Sequence, residues 1–117
     1  MQYLLTMTYR DGEGPEMGTP SFDAEMKVWN ALNEELRASG QVLGASGLNP
    51  ETATTVRTRD GEAVITDGPY AETKEILFSF YMLDVEDLDA AIATARRMPA
   101  TEYGSVTITA MTGFELK

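Results

Sequence analysis

The sequence predicts an α+β fold in which two β-α-β units flank a β-hairpin, on three grounds. Segments 2–10, 76–83 and 105–112 alternate or run apolar as strands do. Segments 21–39 and 87–98 place apolar residues three or four positions apart, the period of helices that lie on a sheet. Asp60-Gly61 separates two strand-like runs and is a strong hairpin signal, because both residue types tolerate positive φ. With the hairpin set aside, the order is that of the ferredoxin-like βαββαβ arrangement, an antiparallel sheet carrying both helices on one face.

Residues 2–10 put Tyr3, Leu5, Met7 and Tyr9 on one side and Leu4, Thr6, Thr8 and Arg10 on the other. Residues 11–20 are rich in glycine, proline and acid and read as a surface loop. Ser21 stands in N-cap position before Phe22, Met26, Trp29, Leu32 and Leu36, which share a helix face; Gly40 suits the C-terminal cap. Trp29, Met26 and Phe22 therefore read as core, and Glu25, Asn33, Glu34 and Arg37 as the helix's outer polar face. Residues 41–48 read as a short strand ended by Asn49-Pro50.

Residues 54–59 and 62–66 form the hairpin, delivering the chain to Asp67-Gly68-Pro69, where Asp67 is suited to tie the turn and Pro69 restricts Gly68. Ile76, Phe78, Phe80 and Met82 alternate with Leu77, Tyr81 and Leu83, apolar on both faces, the pattern of a central strand covered twice. Asp84, Glu86 and Asp87 supply acids at the start of the second helix, where the macrodipole favours them, and Pro99 ends it. All 117 residues fit one domain.

Nineteen acidic residues against nine basic give a net charge of −10, which argues against direct nucleic-acid binding. The chain has neither cysteine nor histidine, which removes thiolate chemistry and the commonest general base and transition-metal ligand. An EF-hand loop starting at Asp84 would need Gly and Glu where Asp89 and Ala95 stand, and Gly40, Gly44 and Gly47 are not followed by a phosphate-loop Lys-Ser or Lys-Thr. No cofactor and no metal are expected. Without a signal-peptide pattern or a long apolar run, the expected location is cytoplasmic, with no membrane partner.

Two helices cover one sheet face, while strands 2–10 and 76–83 present large apolar groups to both. A homodimer pairing the other face is the expected solution; burial of that face by loop 11–20 or the hairpin is the alternative.

The stretch Asp67-Gly68-Pro69-Tyr70-Ala71-Glu72-Thr73-Lys74-Glu75, with Ala53-Thr54-Thr55-Val56-Arg57, Asp60-Gly61, Phe80-Tyr81 and Gly104-Ser105-Val106, resembles the DGPF family of YCII-related proteins over almost the whole chain. The resemblance implies a dimeric α/β-barrel built of two ferredoxin-like units. It also implies a bacterial protein, often encoded beside extracytoplasmic-function sigma factors, with no established reaction. The signature has Phe where this chain has Tyr70. Wider relatives are associated with a His–Asp pair, and a histidine often stands near the position of Tyr103; this chain has none, so a histidine mechanism is not carried over. Asp67 matches the motif's acid and carries over as the catalytic candidate.

Asp67, Glu72, Lys74 and Glu75 gather around one turn, where a lysine between carboxylates orients a polar ligand or moves a proton; a solvated turn is the plainer reading. Arg57 and Arg59 share a hairpin face suited to an anion, to acids across a dimer, or simply to water. Tyr3, Tyr9, Phe78, Phe80 and Tyr81 suit either a mixed pocket or dimer packing. The expected ligand contacts are Tyr9, Tyr70, Lys74 and Tyr81. Two functions follow: a non-catalytic module binding a small ligand or protein, linked to sigma-factor regulation by resemblance, or an enzyme with an Asp67-centred site at the dimer cleft.

Overall fold

The structure, a computed structural model, describes residues 1–67 and 75–113. Its elements are β1 (Gln2–Arg10), α1 (Pro20–Ser39), β2 (Val42–Gly47), β3 (Thr54–Arg59), β4 (Glu62–Asp67), β5 (Glu75–Asp84), α2 (Leu88–Ala95) and β6 (Gly104–Ala110). Short 3-10 turns occupy Pro50–Thr52 and Pro99–Glu102.

Four strands form an antiparallel sheet in the order β2-β5-β1-β6, the order in which two interleaved β-α-β units place them. The doubly apolar β5 is interior. Tyr3, Leu5, Met7 and Leu83 point to one face, where they pack with Trp29, Leu32 and Leu36 of α1, Ala91 and Ala95 of α2, and Met98. Leu5, Met7, Leu83 and Met98 are the largest fully buried side chains, each contributing about 1.5–3 kcal/mol by leaving water.

The expected α/β-barrel does not form. The sheet is open, with β2 and β6 as its edges, and four strands are too few to close around a packed interior. The hairpin does not extend it: β3 pairs only with β4, in a separate two-stranded sheet. Asp60 and Gly61 take φ of 51° and 81°, as a two-residue hairpin turn requires. Every residue of β3 and β4 except Thr55 is exposed. This projecting arm explains a radius of gyration of 16.2 Å, where a compact chain of this length would have about 13–14 Å.

Neither alternative cover for the second sheet face is seen. The hairpin stands in solvent, and loop 11–19 packs on the helix side, where Gly14 lies against the Tyr103 ring. Leu4 and Thr6 of β1 and Phe80 and Met82 of β5 stay half-buried on that second face.

Two local expectations shift. Thr19, rather than Ser21, caps α1, its Oγ1 accepting from Phe22 N at 3.2 Å, because Pro20 is pre-set for the first helical position. The second helix is shorter than 87–98: Asp87 caps it, it ends at Ala95, and Pro99 starts a separate turn.

Candidate functional site

A cavity of about 980 Å3 lies between α1 and the helix-side face of the sheet. Its volume is at the upper end of the usual range for small-molecule sites, and exposed lining residues such as Met17 and Arg37 open it to solvent.

The sheet shapes this cavity through a bulge. Met7 opposes Ser79 but Thr8 opposes Leu77, so Phe78 is an extra residue in β5. Strict alternation puts Phe78 on one face with Phe80 and Met82. The bulge breaks that alternation, as such insertions do, and Phe78 instead lines the cavity beside Tyr81. There it meets Tyr9 edge to face, ring centroids 5.4 Å apart.

The helix supplies the opposite wall. Glu25, Trp29, Asn33 and Arg37, four residues apart in sequence, all line the cavity. Glu25, Asn33 and Arg37 read from the sequence as the helix's outer face; Glu25 and Asn33 are instead half-buried against the cavity, while Arg37 is exposed at its mouth. A step of four residues turns a helix about 400°, so the row drifts about 40° per step, from beside the buried Leu32 and Leu36 at Glu25 to the flank of the helix at Arg37. The sequence did carry that signal, since the chain's one tryptophan is flanked by polar residues at i−4, i+4 and i+8. Hydropathy hid it, because Glu, Asn and Arg score as solvent-facing.

At one end of this row Glu25 Oε2 accepts from Trp29 Nε1 at 3.2 Å and from the Tyr103 hydroxyl at 2.8 Å. Burial, then the hydrogen bond to Glu25, push the Tyr103 pKa well above the usual phenol range, so this hydroxyl stays protonated at neutral pH. The same two side chains border a second cleft of about 670 Å3, which also reaches Arg96 and Arg97. Their hydrogen bond is thus part of the partition between the two spaces. Further along α1, the Tyr81 hydroxyl donates to Asn33 Oδ1, and burial raises the Tyr81 pKa also. Asn33 thereby has an amide NH2 with no partner among the described residues, one turn from Arg37.

The sequence-chosen residues divide. Tyr9 and Tyr81 line the cavity. Asp67 ends β4 opposite Thr54, is exposed and is not among the cavity's lining residues. Tyr70, Glu72, Lys74 and the Gly68-Pro69 turn lie outside the described residues. Glu75 is exposed and accepts from Ser105 Oγ at 3.3 Å. Among the described residues no cluster of three acids is placed to hold a metal ion, and no helix is long and apolar enough to cross a membrane.

The model of the YCII-related domain matches residues 1–115. The chain belongs to the YCII-related family. Within curated proteins it is 39% identical over 72 residues to an uncharacterised protein of Rhizobium meliloti (strain 1021). That match takes in 61% of the YCII-related chain and 58% of the relative, so less than two thirds of the relative's length is spanned. Among solved structures it is similar to 5-chloro-2-hydroxyhydroquinone dehydrochlorinase (TftG) from Burkholderia phenoliruptrix AC1100, in complex with 2,5-dihydroxybenzoquinone. That similarity has a TM-score of 0.51 and 15% identity, covering 96% of this chain and 94% of the other. At that identity the likeness is one of fold.

Proposed function

We propose that this YCII-related protein is an enzyme acting on a small, flat molecule held in the cavity between α1 and the sheet. One observation carries the proposal: the cavity combines aromatic walls, Tyr9, Phe78 and Trp29, with a polar end at which Glu25 and Tyr103 share a 2.8 Å hydrogen bond. A protonated phenol beside a carboxylate orients a ligand hydroxyl or carbonyl and passes a proton to or from it. Tyr103 thus stands near the position at which relatives often carry histidine, and Tyr9 and Tyr81 contact the ligand body. The fold likeness to TftG, a dehydrochlorinase in complex with 2,5-dihydroxybenzoquinone, supports a flat oxygenated substrate of this kind.

The second reading is a non-catalytic module that binds a small ligand or protein; its link to sigma-factor regulation, like placement in the DGPF branch, rests on the resemblance alone. The cavity itself suits both readings; the Glu25–Tyr103 pair at its polar end and the fold likeness to a dehydrochlorinase are what favour catalysis. Two copies of the chain pair through the uncovered sheet face, which Leu4, Phe80 and Met82 make partly apolar.

Screening flat phenols and quinones by quenching of Trp29, the one tryptophan, tests the site directly. Binding lost in Tyr103→Phe and Glu25→Gln but kept in Asp67→Asn supports the cavity. Binding lost in Asp67→Asn with the fold intact moves the site to the hairpin and sinks the proposal.

A further inference from the structure

The row on α1 is polarised, and the polarity specifies a ligand. Arg37 is the one cation among the cavity's described lining residues, in a chain of net charge −10. Its guanidinium has no partner among the described residues, and the NH2 of Asn33 is a second unengaged donor one helical turn away. Helical side chains lean toward the N-terminus, which brings the Arg37 fork toward Asn33 rather than away from it. Two donors, one of them a charged planar fork, match the two oxygens of a carboxylate.

The other end has the opposite character. Glu25 uses Oε2 for both of its hydrogen bonds and keeps Oε1 as an acceptor, so it receives a hydroxyl and repels an anion. From Asn33 to Glu25 is eight residues, about 12 Å of helix rise, more than one ring spans. Trp29 lies between the poles on α1, with Phe78 and Tyr9 on the facing sheet.

We infer that the ligand is an aromatic carboxylate about two rings long. Its carboxylate sits on Arg37 and Asn33, its rings lie along Trp29 and Phe78, and a hydroxyl at the far end reaches Glu25. This rests on the cavity being the functional site, as proposed above, and adds the class and orientation of what enters it.

Isothermal titration with 6-hydroxy-2-naphthoate, 2-naphthoate and 2-naphthol separates the two claims. The expected affinity order is hydroxynaphthoate, then naphthoate, then naphthol. Arg37→Gln, at an exposed position, should weaken both carboxylates about tenfold or more while leaving naphthol within about twofold. Glu25→Gln, its fold checked by circular dichroism, should bring hydroxynaphthoate down to the level of naphthoate without changing naphthoate itself. Naphthol binding as tightly as naphthoate, or carboxylate affinity unchanged in Arg37→Gln, overturns the carboxylate inference and leaves the cavity as a neutral aromatic site. If none of the three binds at millimolar concentration, the inference and the cavity assignment fall together.

Discussion

Tyr103 donates its phenolic proton to Glu25 across 2.8 Å, joining the turn before β6 to the first turns of α1 at the polar end of the cavity. Both residues are only half-buried, so the bond is open to titration. The folded chain holds Tyr103 protonated to a pH above the usual phenol value of about 10, whereas the unfolded chain ionises near that value. The stability linked to this group is therefore fully present below about pH 10 and declines as pH rises above it. Urea midpoints measured from pH 8 to 11 should fall more steeply for the wild type than for Tyr103→Phe. Parallel slopes would show that Tyr103 does not carry the raised pKa.

Gly104 opens β6 directly opposite Tyr9, and a Cβ there would lie 1.9 Å from the carbonyl oxygen of Thr8. The obstacle is backbone of the central strand, which cannot swing aside as a flexible side chain does. Gly104→Ala should cost about 3 kcal/mol, the upper end of ordinary overpacking. Chemical denaturation measures it, and a loss below about 0.5 kcal/mol would mean the strands separate freely at this point.

Thr8, beside the β5 bulge, has a buried Oγ1 with no hydrogen-bond partner among the described residues. An unpaired buried hydroxyl is a net cost, and valine keeps nearly the same shape. Thr8→Val should raise the unfolding free energy by about 1 kcal/mol. A destabilised variant would show that the hydroxyl is engaged in solution.

Ile65 and Val56 on the hairpin are 67% and 65% exposed, so in an isolated chain they stabilise almost nothing. Ile65→Ser should change the unfolding free energy of the monomer by no more than about 0.5 kcal/mol. Phe80→Asp, on the sheet face that neither helix covers, should shift the sedimentation of the proposed dimer to that of a monomer. A wild-type chain that sediments as a monomer at micromolar concentration would remove the pairing from the proposed function.

Much of the fold was legible because it rests on local periods. The alternation of Tyr3, Leu5 and Met7, the 3.6-residue spacing of Trp29, Leu32 and Leu36, and the Asp60-Gly61 turn each declare their element within a few neighbours. The interior place of β5 was legible too, from apolar residues on both faces. The capping residue of α1 differs by two positions from the sequence expectation because Thr19 and Ser21 are both good caps, and only Pro20 between them decides the choice.

The cavity was not legible, and its reasons are tertiary. Phe78 belongs to it only because a register shift against β1 adds a residue to β5, and a shift in pairing leaves no mark in the hydropathy of either strand. Glu25 and Asn33 look like solvent-facing residues until the sheet leaves space beneath α1, and nothing in the hydropathy shows that the exposed Arg37 stands at the mouth of that space. The self-paired hairpin was legible from Asp60-Gly61, but that the four-stranded sheet would stay open rather than close into a barrel was not, because that depends on which edges meet in space. The sequence by itself determined the elements, their order and the family likeness, all written in short-range pattern. Where those elements leave a cavity, and which polar side chains turn into it, was decided only by long-range packing.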